Sequence, residues 1–446
     1  MLAAGHNQRW HPRIRRLAVV RSAGDRCQTA AMTMLLPVGY EDVRMARDAL
    51  RGVVRQTPML PSRVLSDLVG GPVWLKCEHL QRAGSFKIRG AYLRLSRLTE
   101  AEKAAGVIAA SAGNHAQGVA LAASILGIRA TVVMPENVQL PKLSATRAYG
   151  AEVVLHGASI TDALARAAEI AEQAGSTLIH PFEHADIIAG QGTVGLEISG
   201  QCPQARTVVV PVGGGGLIAG IATAVRGRPA TSSAAGEAAP APVVIGVQAA
   251  AVAPFPGSLA AGRPVGVTAA PTMADGIAVA VPGAITFQII QQLVGQMLTV
   301  TEESLSRALL TCLERGKQLV EPAGAAGVAA LLEHPGAVEP PVVVVLSGGN
   351  IDPLLLSRVL RYGLAAAGRY LAVRCRIPDL PGSLAALLTE IGALGASVLD
   401  VVHERVSVGL RIDEVEVTLQ LETRGPDHRE VIVAALAAAG YSLQFL

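Results

Sequence analysis

One lysine lies in a setting suited to covalent chemistry. Lys87 follows the aromatic Phe86 among small residues, in the segment GSFKIRGA at residues 84–91, and a helix-like run comes after it. Burial disfavours the charged form of a lysine and lowers its pKa, which frees a neutral amine. Such an amine can hold a carbonyl cofactor as a Schiff base. Taken alone, this segment favours an ordinary solvated lysine at the start of a helix, because most lysines have no catalytic role.

A run of glycines predicts an anion site. Gly213, Gly214, Gly215 and Gly216 stand between a predicted strand at 207–210 and a predicted helix that begins at Leu217. Glycine lets backbone N–H groups close around an anion, and the helix N-terminus adds a favourable dipole. We therefore expect a phosphate here, with a simple tight turn as the alternative. Residues 214–219 also match a dinucleotide pattern, but the next strand ends at Gln248 rather than at an acidic residue.

Polar residues follow two further predicted strands. The segment Ser111 to His115 comes after the strand at 107–110, and Ser347 comes after the apolar run at 342–346. Loops at the carboxyl ends of parallel strands are common ligand sites. The plainer alternatives are a packing role for His115 and a loop role for Ser347.

The order of predicted elements indicates an α/β protein with a second, smaller α+β part. Up to about residue 365 strands alternate with helices, which predicts parallel sheets covered on both faces. Beyond that point the pattern changes to strand, helix, two strands and helix. With a short last strand this order is ferredoxin-like.

Composition excludes several classes of protein. Of the 446 residues 50% are hydrophobic and only 3% aromatic, and the net charge of +3 gives no argument for a nucleic-acid partner. The five cysteines show no CxxC spacing, which is typical of reduced thiols in a cytoplasmic protein. No apolar run reaches membrane-spanning length, so we expect no membrane partner.

The first 36 residues are basic and lack a clear period. We interpret residues 1–36 as a disordered extension, or as the product of a start codon placed too early. A targeting peptide is a less favoured alternative, and a basic nucleic-acid arm is less favoured still. The Ala- and Pro-rich segment at 227–242 is predicted to be a surface loop.

Four motifs together resemble the threonine dehydratase branch of the fold-type II pyridoxal-phosphate enzymes, to which serine racemase is related. They are the lysine segment, SAGNH at 111–115, GGGGL at 213–217 and SGGN at 347–350. The resemblance implies a tryptophan synthase β-like catalytic domain at 37–365, with two subdomains of open parallel sheet and the smaller one at about 82–165. It further implies an ACT regulatory domain at 366–446.

The resemblance also assigns roles to residues. Lys87 would hold pyridoxal 5'-phosphate and remove the substrate α-proton, and Phe86 would line the site beside it. Further roles follow from the same resemblance: Asn114 at the cofactor's phenolic oxygen; Gly213, Gly214, Gly215, Gly216 and Leu217 at its phosphate; Ser347 at the pyridine nitrogen; Ser111, Asn114 and His115 around the substrate carboxylate; Glu321 and Gly276 near the ring; and Asp379, Leu380, Pro381, Gly382, Ser383 and Leu384 at an amino-acid effector.

Three positions depart from the related sequences. Ala83 replaces the usual threonine before the lysine segment. Ala112 stands where serine racemase has its second base, so racemisation should be poor. Gln248 stands where the racemase has a metal-binding glutamate, and we expect no metal there.

The implied activity is deamination of L-threonine to 2-oxobutanoate and ammonia, with L-serine as a second substrate. One alternative is a serine-preferring dehydratase, and another is a catalytically dead amino-acid sensor. We expect a cytoplasmic homo-oligomer, a dimer or tetramer, with isoleucine or valine as its effector.

Overall fold

A computed structural model describes residues 36–227, 240–405 and 410–446. The predicted basic extension lies outside the described residues except for its last position. Most of the loop predicted at 227–242 lies outside them as well. Within the described ranges, none of the helices combines the length and apolar character needed to cross a bilayer.

The helices follow the predicted order, with several that the sequence did not suggest. Their bounds are α1 (Tyr40–Ala49), α2 (Arg63–Val69), α3 (Lys87–Ser96), α4 (Glu100–Ala105), α5 (Asn114–Leu126), α6 (Leu140–Ala148), α7 (Ile160–Ala174), α8 (Ala185–Gln201), α9 (Gly216–Arg226), α10 (Pro254–Ala261), α11 (Ala284–Leu293), α12 (Glu302–Glu314), α13 (Pro322–Glu333), α14 (Pro353–Ala366), α15 (Ser383–Ala393) and α16 (Pro426–Ala438).

The strands form three sheets. Their bounds are β1 (Met59–Pro61), β2 (Val73–Lys76), β3 (Val107–Ala110), β4 (Ala130–Met134), β5 (Glu152–Leu155), β6 (Thr177–Leu178), β7 (Thr207–Pro211), β8 (Val243–Ala249), β9 (Gln296–Val300), β10 (Val342–Val345), β11 (Tyr370–Pro378), β12 (Ser397–Glu404), β13 (Glu414–Glu422) and β14 (Leu443–Phe445).

The largest sheet has the strand order β1-β2-β10-β7-β8-β9. All neighbours are parallel except β1 and β2, which pair antiparallel. The four valines of β10 are completely buried, because helices cover both faces of a parallel sheet. The predicted α/β fold class is confirmed.

A second parallel sheet has the order β5-β4-β3-β6. Its last strand pairs Val107 with Thr177 and Ile108 with Leu178. The smaller sheet therefore takes a strand from beyond residue 165, and the expected bounds of 82–165 end too early. The reason is that α7 runs on to Ala174 and returns the chain to the edge beside β3.

The third sheet is antiparallel, with the order β12-β13-β11-β14. Alternate residues of β11 and β13 point to a core that α15 and α16 cover with Leu387, Ile391, Ile432 and Leu436. Period-2 burial of this kind is typical of a sheet with one solvated face. The ferredoxin-like order is present, including the short last strand.

A buried ionic cluster fixes α3 against β2 and α8. Arg89 is completely buried and forms two hydrogen bonds with the Glu78 carboxylate, at 2.8 and 2.9 Å, and one with Glu197 at 2.7 Å. Lys76 Nζ donates to the other oxygen of Glu197 at 2.5 Å. Although burial disfavours a carboxylate, the Arg89 guanidinium keeps the pKa of Glu78 below its usual value. The first turns of α3, which begins at Lys87, are thus anchored through Arg89 to Glu78 and Glu197.

Candidate active site

Lys87 is the first residue of α3, and its amine faces a backbone carbonyl. Lys87 Nζ donates a hydrogen bond to Pro181 O at 3.1 Å and lies 5.2 Å from the centre of the Phe86 ring. Burial lowers the pKa of Lys87 to about 8, while the Glu321 carboxylate opposes this change. Near neutral pH the neutral amine is therefore a minor form, but far more abundant than in an ordinary lysine.

A left-handed turn brings the lysine to this position. Ala83 and Gly84 have φ values of +59° and +68°, and a Cβ on Gly84 would lie 2.2 Å from the Asn350 side chain. After the turn, Ser85 forms an isolated β-bridge with Gly348. The strand end that carries Ser347 and the start of α3 are therefore in direct contact.

The four glycines form a turn that other side chains would block. A Cβ on Gly214 would lie 2.3 Å from ring carbons of Phe182, and a Cβ on Gly215, where φ is +95°, would meet Ile290 at 2.8 Å. Thr286 Oγ1 donates to Gly214 O at 2.7 Å and fixes the turn. Among the described residues, no backbone N–H from Gly213 to Leu217 has a hydrogen-bond acceptor.

Three side chains from distant segments form a chain of hydrogen bonds beside the lysine. Asn350 Nδ2 donates to Asn114 Oδ1 at 2.8 Å, and Asn114 Nδ2 donates to Glu321 Oε1 at 2.6 Å. Asn350 Nδ2 also donates to Ala83 O at 2.7 Å. The predicted site residues Asn114 and Glu321 are thereby brought together with the turn before Lys87.

Glu321 immediately precedes α13, at the bottom of this chain. Burial raises the pKa of Glu321 to about 7, and the nearby Asp275 carboxylate adds to the effect. A Cβ on Gly348 would lie 2.2 Å from Glu321 Oε1, and Gly276 approaches the same oxygen. The two residues that the sequence placed near the ring, Glu321 and Gly276, are thus neighbours.

The side chains of His115 and Ser111 both form hydrogen bonds with backbone atoms. His115 is buried, and its Nε2 donates to Ile179 O at 2.8 Å. Burial and the charge of Lys87 lower the pKa of His115 to about 3, so its ring is neutral. Ser111 Oγ accepts a hydrogen bond from Gly113 N at 3.2 Å. The contact to Ile179 favours the packing role for His115.

The Gln248 side chain is occupied at both ends. Gln248 Nε2 donates to Val212 O at 3.4 Å, and its Oε1 accepts from Phe255 N at 3.0 Å. In the part of the chain that the structure describes, no group of three His, Cys, Asp or Glu side chains could hold a metal ion.

Sequence reasoning missed the segment at 180–183. Pro181 O accepts from Lys87, Phe182 packs against the glycine turn, and His180 packs against Phe182. Asn350 links Asn114 to the turn before Lys87. The only sequence signal was position: 180–183 follows the strand at 177–178, at the same sheet edge as Ser111. The polar His180 at that edge could have indicated a site residue.

Comparison with known proteins identifies the family. Residues 50–348 match the family described as pyridoxal-phosphate dependent enzyme. This chain belongs to that family. The family and cofactor predicted from the four motifs are confirmed.

Relatives of this pyridoxal-phosphate dependent enzyme carry consistent names. The L-threonine ammonia-lyase of Thermotoga maritima is 44% identical over 409 residues, which are 92% of this chain and 100% of that protein. The crystal structure of a threonine deaminase from T.th. is 42% identical with a TM-score of 0.65, and the match covers 70% of this chain and 99% of that one. Maize serine racemase is 32% identical with a TM-score of 0.67, covering 74% and 98%.

The residues of the enzyme fit pyridoxal phosphate. The glycine turn offers backbone N–H groups without acceptors, which suits a phosphate at a helix N-terminus. Ser85 Oγ is buried without a hydrogen-bond partner two residues before the lysine, and Lys87 supplies the partly neutral amine that an aldehyde requires.

The predicted effector loop at 379–384 belongs to the third sheet of the enzyme. Arg405 contacts Asp379 Oδ1 at 3.2 Å, and Asp379 N donates to Asp413 O at 2.9 Å. Gly382 has a φ of +94° and precedes α15, while Leu380 is 67% exposed. These contacts of the loop are made with residues of the C-terminal part, and none of them involves Lys87.

Proposed function

We propose that this chain is an L-threonine ammonia-lyase. It removes water from L-threonine, and the dehydrated product takes up water again to give 2-oxobutanoate and ammonia. The carrying observation is the Lys87 amine, held by Pro181 O beside the glycine turn, in a chain 44% identical to an L-threonine ammonia-lyase. L-Serine is the second substrate, since it differs by one methyl group.

Lys87 has two tasks in this proposal. Its neutral amine binds the cofactor aldehyde, and after the substrate amine has displaced it, the same Nζ takes the substrate α-proton. Bound pyridoxal phosphate supplies an electron sink for that proton transfer. The pKa of about 8 leaves Lys87 able both to accept and to release a proton near neutral pH.

In this proposal the surrounding residues orient the cofactor and hold it in place. The N–H groups from Gly213 to Leu217 would bind the phosphate, Phe86 would line the site beside Lys87, and Asn114 would orient the ring. Ser347, which is buried just after β10, would lie at the pyridine nitrogen, where a hydroxyl does not hold a proton as an aspartate does. Glu321 accepts a hydrogen bond from Asn114, and Gly276 lies next to Glu321.

Ser111, Asn114 and His115 surround the substrate carboxylate in the proposal. Asn114 and His115 begin α5 and Ser111 comes just before it, so all three lie near a helix N-terminus, where the dipole favours an anion. His115 would contribute as a neutral packing side chain, because its Nε2 proton is directed to Ile179 O.

Replacement of the lysine tests the function. Lys87→Ala should abolish both 2-oxobutanoate formation and the visible absorbance that pyridoxal phosphate acquires when a lysine binds it covalently. Lys103→Ala, at a partly exposed position of α4, is the matched control and should retain both. Turnover in the Lys87 variant would overturn the proposal, and a wild-type protein that binds the cofactor without turnover would favour the amino-acid sensor.

Substrate preference requires kinetics. One methyl group is worth only about 1–3 kcal/mol of discrimination, so the ratio of kcat/KM for threonine and serine decides between the proposal and a serine-preferring dehydratase. D-Serine should not accumulate, because Ala112 offers no hydroxyl to the opposite face.

We propose further that residues 37–365 are the catalytic domain and 366–446 an ACT domain that binds isoleucine or valine at 379–384. The exposed Leu380 and the Asp379–Arg405 pair support this assignment. In the full-length enzyme, Asp379→Ala should reduce the response of threonine kinetics to isoleucine, whereas Asp427→Ala on α16 should not. An identical response in both would count against it.

The proposed enzyme is a cytoplasmic homo-oligomer, a dimer or tetramer. Light scattering coupled to gel filtration gives its size directly. A monomer at assay concentration that is fully active would contradict this part of the proposal.

A further inference from the structure

We propose that His180 is a positioning residue for the reaction: its neutral imidazole holds the turn 180–183 so that Pro181 O faces Lys87 and the Phe182 ring supports the glycine turn. This inference rests on the role proposed above for Lys87.

The imidazole accepts two backbone hydrogen bonds within its own turn. Phe182 N donates to His180 Nδ1 at 3.3 Å, and Glu183 N donates to the same atom at 2.8 Å. Two N–H groups aimed at one acceptor fix the peptide planes between Pro181 and Glu183. The direction of the Pro181 carbonyl is set by the same turn.

The first consequence concerns the amine. Lys87 Nζ donates to Pro181 O at 3.1 Å, and no other hydrogen bond of this nitrogen occurs among the described residues. Because Pro181 O accepts from Nζ, one N–H bond of the amine points towards this oxygen. The lone pair that reacts is then limited to the remaining directions around Nζ. If Pro181 O moved away, the Lys87 amine would lose this hydrogen bond and could rotate about its Cε–Nζ bond.

The second consequence concerns the phosphate site. The Phe182 ring lies edge-on to the His180 ring, with centres 4.6 Å apart at 88°, and it packs against Gly214. Glu183 Oε1 also accepts from Ile285 N at 2.5 Å, next to Thr286, whose hydroxyl donates to Gly214 O. The turn thus supports the glycines by two separate routes.

The charge state of the ring agrees with this geometry. Nδ1 can accept two N–H groups only when it carries no proton. Burial lowers the pKa of His180 to about 4, and the charge of Lys87 adds to the effect. The imidazole is therefore neutral wherever the lysine amine is reactive.

Three variants of His180 test the proposal in the full-length holoenzyme. His180→Asn places a carbonyl oxygen near the position of Nδ1, whereas His180→Gln places its amide near Nε2. His180→Ala removes both. We expect His180→Ala and His180→Gln to lose roughly 10- to 100-fold in kcat/KM for threonine, and to require more pyridoxal phosphate for half-saturation of the visible absorbance. His180→Asn should recover most of both properties.

His184→Ala is the matched control. This imidazole lies in the same segment and accepts from Asp186 N at 3.1 Å, but it caps α8 rather than the turn at Pro181. It should reduce thermal stability without a comparable loss of kcat. If His180→Ala retains wild-type kinetics, or if His180→Asn is as impaired as His180→Ala, the positioning role is wrong. Lys87-independent turnover would instead refute the proposed function, so the two failures are distinguishable.

Discussion

Lys142 Nζ lies 2.6 Å from Asp275 Oδ2, and this ion pair joins the two parallel-sheet units across the candidate active site. Lys142 belongs to α6, between two strands of the smaller sheet, while Asp275 precedes Gly276 and lies close to Glu321. The Lys142 side chain is mostly buried and that of Asp275 is half exposed. The pair therefore lies at the edge of the site, where salt can reach it.

Lys142→Met should remove the ion pair that joins the two sheet units at the edge of the site. A partly exposed ion pair contributes on the order of 1 kcal/mol or less, so the free energy of unfolding should change little. KM for threonine should rise by roughly 2- to 5-fold, and added salt should bring the wild-type KM towards that of the variant. Lys103→Met, which removes a pair within α4, is the control. A salt-independent difference in KM would show that the ion pair is not its cause.

Glu321 predicts a pH dependence of stability. Its folded-state pKa of about 7 lies above the value of about 4.3 in an unfolded chain. Between these values the folded state holds more protons, so the free energy of unfolding should fall as pH rises through this window and level off above it. Glu321→Gln keeps an acceptor for Asn114 but cannot ionise, and it should gain up to about 3 kcal/mol over the wild type above pH 7.

Chemical denaturation at several pH values measures this difference. Glu339→Gln, at an exposed carboxylate paired with Arg206, should follow the wild type throughout. If the Glu321→Gln and wild-type curves run parallel from pH 4.5 to 7.5, the raised pKa is wrong.

Gly214→Ala should weaken cofactor binding. The added Cβ would lie 2.3 Å from the Phe182 ring, far inside contact distance, so the ring or the glycine turn must move. We expect at least 10-fold weaker binding of pyridoxal phosphate, measured from its absorbance. Gly200→Ala, at an exposed position of α8 with no atom near its Cβ, should bind normally. Adding Phe182→Leu to Gly214→Ala should restore part of the affinity if the ring clash is the cause.

Arg89→Met should destabilise the fold strongly. It leaves the completely buried Glu78 carboxylate without its main partner, and a broken buried ion pair costs about 3–5 kcal/mol. Arg51→Met is the matched control, since Arg51 pairs with Asp48 on the surface. Equal midpoints for the two variants in urea unfolding would contradict the importance assigned to the buried cluster.

The elements that sequence predicted best are those whose local signal is unambiguous. The apolar run at 342–346 is bounded by prolines and glycines, and it contains the buried strand β10. In the C-terminal part the predicted order of strand, helix, two strands and helix, with a short last strand, is the order that the structure has. The four glycines were noticed because such a run between a strand and a helix is unusual, whereas Lys87 was singled out only together with the other three motifs.

Other parts required the assembled molecule. Helix α8 was missed because Gly190, Gly192 and Gly195 let it pack closely on its neighbours, which buries nearly all sides and removes a helical period. The partners of Arg89 include Glu197, which is 108 positions away. The turn at 180–183 contains no residue that is chemically unusual by itself. Its importance comes from Lys87 and Gly214, which two different segments bring to it.

Asn350 closes the candidate site through Ala83 and Asn114, which lie 267 and 236 positions earlier in the chain. On the ribosome, the lysine, its turn and the glycines are therefore all synthesised before the side chain that links them. A nascent polypeptide that has not yet released Asn350 from the exit tunnel lacks this closure. We therefore expect the nascent chain to bind the vitamin B6 aldehyde late in synthesis, after most of the catalytic part has left the tunnel.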